Sequence, residues 1–336
     1  MSKETSVYLN QNVLIGYTDK RGTAWHYRAE DQGVEPNHYT GAIPIDDVKR
    51  RLFAWQGIEG TITATALTDE GVIVTQSETD KAIMRSDTGA ILGIFKQGYS
   101  VHQYGDWLVD NVEIVLGNQL QIGSAGLLKG GAQAWVQIEM PETLTGVEGV
   151  EFRPFLTAAT SMDGSLATTY LTGVQVVVCD NTLSAALSGS AAKVRLKHTR
   201  YSGDKSEQIR EGLGLVEAVA ASFEKQLVDL TSQYVPESKW QEFVQAYAYV
   251  VPGSTDRMRN AQLRKQGELN SLWQSDPRVA PWKNNAYGVV AAVNTYEHHV
   301  KNVKGATRAE RNASRVVSGG HDKLDRSTLE LLATIS

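Results

Sequence analysis

Between Thr160 and Thr199 the chain gathers an aspartate in a tight turn, its only cysteine, a histidine and a run of alternating cations. Each could do chemistry. Asp163, within Ser161-Met162-Asp163-Gly164-Ser165, could accept from a substrate or hold a metal at a loop tip. Asp-Gly is also the strongest short hairpin signal, and turn chemistry is the plainer reading. Cys179 ends the apolar run VQVVVC, two residues before Asn181, which is placed to cap a helix. A thiolate there gains reactivity from the helix dipole, with His198 or His102 as base. A cysteine flanking a buried strand is more often inert. Lys193, Arg195 and Lys197 alternate with Val194, Leu196 and His198, and period two puts the cations on one face of a strand. Single-strand binders follow phosphates with such a face, and lysines also guard an edge strand.

A second cationic set lies downstream: Arg257, Arg259, Arg264 and Lys265, then Lys301, Lys304, Arg308, Arg311 and Arg315. Tyr247, Tyr249, Trp273, Trp282 and Tyr287 are interspersed. Aromatic rings beside cations can stack bases; at helical spacing they more often fill a core. The neighbours His298 and His299 point to different helix faces. No His-Glu-x-x-His, Walker-type glycine loop, Gly-x-Ser-x-Gly or cysteine pair occurs, so no familiar catalytic signature stands out and neither metal nor cofactor is expected. The net charge of −5 hides an asymmetry: residues 1–190 carry 12 Lys/Arg against 22 Asp/Glu, and residues 191–336 carry 21 against 16. Such a split hints at a polyanion-facing surface in the second half.

These residues need a scaffold. A chain of 336 residues, 41% hydrophobic and 21% charged, can bury a sizeable core. No apolar run reaches about 18 residues, and MSKETSVYLNQN lacks the apolar stretch of a signal peptide. A cytoplasmic protein, away from the membrane, is expected. Residues 1–42 read as a polar, turn-rich arm. Pro44 opens a short helix with Val48, Leu52 and Trp55 on one face. TITATAL, GVIVTQ, KAIMRS and AILGIFK predict short strands joined by hairpins at Asp69-Glu70-Gly71 and Asp87-Thr88-Gly89. YGDWLVDNVEIVLG predicts a helix ending at Gly117.

Lys129-Gly130-Gly131 reads as a hairpin turn needing positive φ. Strands over 132–140, 152–160 and 166–178, then a helix over 181–189, give a β-β-β-α order, and KVRLKHT adds a strand. Beyond residue 204 the period changes: Ile209, Leu213, Val216, Ala220, Phe223, Leu227 and Leu230 form a long helical stripe. More helices are predicted at 237–249, 256–275, 285–303, 307–318 and 322–334. The predicted class is α+β: a mainly antiparallel sheet with a β-β-β-α core and helices on one face over 43–204, then a helical region over 205–336.

The runs LLKGGAQAWVQIEM, FLTAATSMDGS, VQVVVCDNTLSAAL and VRLKHT resemble the phage/plasmid-like family known as domain of unknown function 932. Its pattern is a glycine-rich hairpin, a Ser-His-Asp-Gly turn, an Arg-Val-Val-Cys-Gln-Asn-Thr-Leu strand-to-helix and an Arg-His-Thr strand. TAWH near the start, WKNNAYGVVAAVNTYEHH and RVVSGGHDKLDRSTLELL extend the likeness over nearly the whole chain. Met162 stands where the family has the turn histidine, Gln175 or Val176 where it has the arginine, Asp180 where it has glutamine, and Lys197 where it has arginine. Methionine neither shuttles protons nor binds a hard metal, which puts a catalytic histidine at the turn in doubt. The resemblance implies a phage, prophage or plasmid setting and brings no established activity. The β-β-β-α order looks like the core of single-strand annealing proteins of the Erf, RecT, Red-beta and eukaryotic Rad kind, ring or filament formers that hold DNA without catalytic groups.

The expected function is therefore non-enzymatic: single-stranded DNA binding and annealing in phage recombination by a homo-oligomeric ring or filament. Lys193, Arg195, Lys197, His198 and Arg200, with Arg257, Arg259, Arg264 and Lys265, would meet the phosphates. One alternative is a hydrolase or nuclease in which Asp163, Cys179 and His198 converge. Another is a phage accessory protein whose acidic first half binds a host protein.

Overall fold

The computed structural model describes residues 3–24, 27–111, 120–140, 142–146, 149–176, 181–183, 193–198, 215–303, 311–312, 315 and 320–335. The chain forms two compact units. Met1–Pro141, Leu156–Leu171 and Lys193–Gly214 make the first; Glu142–Phe155, Thr172–Ala192 and Leu215–Ser336 make the second. These limits differ from the expected division at residue 204. The class is α+β, with antiparallel sheets and a helical C-terminal region.

The first unit is built on β1 (Val13–Ile15), β5 (Gln121–Leu128) and β6 (Gln133–Glu139), which lie side by side in that order. The glycine-rich turn joining β5 to β6 is as expected: Lys129, Gly130 and Gly131 all take positive φ, at 50°, 68° and 99°. Every residue of β6 is buried, so its two faces are both covered. Gly126 pairs with Trp135, and a Cβ on Gly126 would overlap the indole ring. That ring crosses the glycine because there is no side chain to stop it.

Residues 1–42 are not the arm expected from their polar composition. Helix Lys3–Asn12 leads into β1, which pairs antiparallel with β5, and the Asn37 side chain donates to the Val13 carbonyl at 2.8 Å. Leu9, Val13, Leu14 and Tyr17 are buried, and these few residues dock the segment. Helix Ile45–Leu52 forms as expected, burying Val48 and Leu52. The four segments from Thr61 to Phe95 become three strands, β2 (Gly57–Thr68), β3 (Gly71–Arg85) and β4 (Ile91–Lys96), in a separate sheet. GVIVTQ and KAIMRS are one strand, with an irregularity that carries the register from Thr61↔Lys81 to Thr63↔Gln76. The helix expected from residue 104 begins as a π-helical turn, Gly105–Asp110, burying Leu108 and Val109; residues 112–119 lie outside the described residues.

The β8 (Glu151–Ser161) and β9 (Thr168–Val176) strands follow β6 in the sheet order, and each gives one half to either unit. A short strand β7 (Leu144–Thr145) pairs with the start of β8. The three strands of the expected β-β-β-α order are thus present. Its helix is not seen where it should start: Asn181–Leu183 forms β10, antiparallel to β9, so Asn181 is a strand residue and not a helix cap. β11 (Lys193–Leu196) pairs with the first half of β9.

In the second unit, Phe223 and Leu227 of helix Leu215–Ser232 pack with Phe152, Val174, Tyr287 and Val290. Helix Ala286–Thr295 is buried along its whole length, as its apolar composition requires. The stacked Trp240 and Trp273 rings, 4.2 Å apart, centre a second cluster. Among the described residues no helix is long and apolar enough to cross a membrane.

Gly126→Ala should lower stability by about 1–3 kcal/mol through overpacking against the indole. Thermal melts of Gly126→Ala alone and with Trp135→Leu check this. The second change should return part of the loss, and equal melting of wild type and Gly126→Ala would refute the crowding.

Candidate functional site

The site lies where β11 ends. Leu196 sits opposite Thr168 in the antiparallel register. Lys197 is exposed, and His198 turns its ring inward. One ring nitrogen, Nδ1, lies 2.7 Å from the Tyr99 hydroxyl. The other, Nε2, lies 3.0 Å from Thr160 Oγ1 and 3.2 Å from Thr168 Oγ1. Thr168 Oγ1 also meets Thr160 Oγ1 at 2.8 Å and His102 Nδ1 at 2.5 Å. Two imidazoles, two threonine hydroxyls and a phenol thus share one hydrogen-bonded cluster. The Ser100 amide donating to the His198 carbonyl at 3.4 Å ties the two segments together again.

The rings also stack. Phe95 lies on Tyr99 at 3.8 Å between centroids, and Tyr99 on His198 at 5.1 Å. His198 lies on His102 at 4.0 Å, and His102 on Trp107 at 3.8 Å. Each element has a local reason. Tyr99 and His102 follow β4 in a loop; Trp107 lies within the π-helical turn; Thr160 and Thr168 flank the β8–β9 turn, where β-branched residues suit the strands.

The cluster carries no charge at neutral pH. Burial pushes the His198 imidazole down to about 4. Burial, with His198 as neighbour, pushes His102 down to about 3. Burial and the negative charge of Asp163 hold the Tyr99 hydroxyl well above its ordinary value. Neutral rings can fix geometry, but they offer nothing to a phosphate. His198, expected among the residues that meet the phosphates, has its ring engaged in this cluster, where it anchors the end of the strand.

The turn residues do what Asp-Gly chemistry suggests. Gly164 has φ of 74°, and Asp163 accepts from the Ser165 amide at 2.9 Å and from its hydroxyl. Lys129 Nζ approaches the same carboxylate at 3.5 Å. Burial raises the Asp163 pKa, but bonds from Ser165 and Ser161 and the Lys129 charge outweigh it and hold it below the usual value. Met162 is buried. Asp163 and His198 each spend their bonds on other partners, and Cys179 lies outside the described residues. No group of three metal-ligating side chains occurs among the described residues.

The cationic residues divide. Lys193 and Arg195 stand in β11 as period-two neighbours, Lys197 is exposed, and Arg200 lies outside the described residues. Arg257, Arg259 and Arg264 are exposed along the first half of helix Asp256–Ser275. Lys265 is not: its Nζ sits 3.8 Å above the Tyr247 ring, and burial lowers its pKa. Lys301 and Arg315 pair with the buried Glu297 at 2.8 and 3.2 Å, and Arg311 donates to its carbonyl. Trp273 and Tyr287 are core residues. Sequence reasoning passed over Tyr99, Thr160 and Thr168. The only local signal was aromatics around a histidine in YSVHQYGDW.

Fold and site together define an α+β protein with a neutral, ring-stacked cluster holding the end of a basic strand. A family model described as Domain of unknown function (DUF932) matches residues 91–318, well over half the chain, and the chain belongs to that family. The matched range contains the whole cluster from Phe95 to His198; the TAWH segment and strands β2 and β3 lie before it. No curated protein and no solved structure matches the chain.

Because both imidazoles are held neutral when folded and titrate near 6.5 when unfolded, the unfolded chain binds more protons below that pH. Stability then falls as pH drops from 6.5 toward about 4. His102→Phe, which keeps a ring in the stack, should show a shallower fall in melting temperature over this range than wild type. Parallel slopes would remove the histidines as the cause.

Proposed function

We propose that this chain is a non-enzymatic single-stranded nucleic-acid-binding protein, and most concretely a homo-oligomeric one that anneals complementary DNA strands in phage recombination. One observation carries the reading: the alternating cations of β11 lie on an outer strand whose end is pinned. β11 has β9 on one side and, among the described residues, no strand on the other. Lys193 and Arg195 are period-two neighbours in β11, and Lys197, just beyond its end, is exposed. Phosphate tracking needs fixed cations and little else. The neutral cluster at the strand's end supplies rigidity without competing for the backbone. The exposed Arg257, Arg259 and Arg264 add a second basic surface, and the phage setting follows from the family resemblance.

Fluorescence anisotropy with a labelled oligothymidine tests this directly. Binding should weaken steeply with salt, by a log–log slope of about 0.7 per phosphate contacted. Replacing Lys193, Arg195 and Lys197 together by alanine should reduce that slope by about 2 and leave the melting temperature nearly unchanged. Absence of binding in low salt, or a triple variant with the wild-type slope, overturns the reading.

A further inference from the structure

The sheet of β2, β3 and β4 carries an unprotected surface. β4 pairs with β3 only from Asp80 to Met84, so from Thr63 to Gln76 the arm is a two-stranded hairpin. Both of its faces are in solvent: Leu67 is 85% exposed, Val72 61%, Ile73 57% and Val74 62%. Directly opposed residues share a face, which puts Leu67, Val72 and Val74 together. The β3 backbone from Gly71 to Thr79 has no strand on its second side among the described residues. A hairpin of this kind is marginal in water without a third strand or a covered face.

Charge decides what can cover it. TITATALT and GVIVTQS contain no ionisable residue, whereas exposed edges are ordinarily guarded by lysine, proline or inward charges. A strand added here sets its side chains beside Val72, Ile73 and Val74, where threonine and aliphatic neighbours make cross-strand contacts that charged ones do not. The outer hairpin of another copy, from Thr63 to Gln76, brings strands rich in threonine, alanine and aliphatic residues with no charge outside the tip. The sole charges at the tip, Asp69 and Glu70, oppose nucleic acid as the occupant. They also oppose a parallel alignment, which would bring four carboxylates together. Antiparallel pairing puts the two tips at opposite ends.

We infer that the arm Thr61–Lys81 is a self-association element, in which β3 of one copy pairs antiparallel with β3 of a second copy. The homo-oligomer of the proposed function gives this arm its use. Assembly is nevertheless measured without nucleic acid, so the two readings fail separately: a chain that assembles and binds no DNA defeats only the former, and a monomer that binds DNA defeats only this one.

Sedimentation equilibrium of the full chain at tens of micromolar, free of nucleic acid, tests the inference. Wild type should give a multiple of the 36.8 kDa chain mass. Val72→Lys/Val74→Lys, changing exposed residues only, should give the single-chain mass with an unaltered far-ultraviolet spectrum. A second variant joins Thr61 to Lys81, already paired, through Asn-Gly, and should behave alike. Wild type at the single-chain mass, or assembly unchanged in both variants, overturns the inference.

Discussion

Bringing two imidazoles and a phenol together beside the β8–β9 turn, with His102 buried and Tyr99 and His198 half-buried, is the constraint on which the first unit's geometry turns. A buried polar atom left without a partner costs about 1–3 kcal/mol, so each nitrogen and hydroxyl in the cluster must find another. Thr168 meets that demand for three groups at once, touching Thr160, His102 and His198. Segments far apart in the chain, at Tyr99–Trp107, at Thr160–Thr168 and at His198, are thereby fixed to one another. The ring stack from Phe95 to Trp107 adds a geometric condition, because flat rings 3.8–4.0 Å apart tolerate little sliding. β11 is only four residues long, too short to hold its place by backbone pairing alone. His198 is what makes its end definite.

Neutrality here and ionisation elsewhere separate anchoring from surface charge. In the second unit the buried carboxylate of Glu297 draws Lys301 and Arg315 onto itself, and Tyr247 donates to it at 3.3 Å. Burial raises its pKa, yet those cations and hydrogen bonds outweigh burial and keep it below its ordinary value. Breaking such a cluster would strand a charge inside, so its cations are structural. The positive balance of residues 191–336 is therefore not all surface. Among the described residues the exposed cations of this half are Lys197, the three arginines of helix Asp256–Ser275, Lys225, Lys323 and Arg326.

Much of the fold was legible because its signals were local. Positive-φ glycines marked the β5–β6 turn, Asp163-Gly164 marked the β8–β9 turn, and prolines with apolar spacing marked the helices between 237 and 300. The failures share a cause. Residues 1–42 looked irregular because their buried hydrophobic residues among those described, Leu9, Val13, Leu14 and Tyr17, are few. Asn181 looked like a helix cap because capping chemistry and a strand start use the same residue type, and only pairing with β9 decides between them. The cluster was half visible: His198 and His102 drew notice as titratable groups. Tyr99, Thr160 and Thr168 did not, because a threonine becomes a site residue only through what a distant segment brings to it. Lys265 misled for the opposite reason, since nothing local says that Tyr247 lies beneath it.

Alternation of the kind in TITATALT ordinarily signals one buried and one solvated face. In the arm it signals neither, since both faces are in solvent. The strands form on β-propensity and the Asp69-Glu70-Gly71 turn, which are local. The irregularity at Ser77–Asp80, where Asp80 accepts from Thr79 and Lys96, marks the change from the three-stranded base to the two-stranded outer hairpin. The base is supported: Lys81 is buried and bonded to Glu59 at 2.5 Å, and Ala82 and Ile83 are core residues. The outer hairpin keeps the turn and the register but has no core of its own. A sequence tuned for a solitary hairpin would place charge along its edge. This one places charge only at the tip, where it sets direction without blocking the edge.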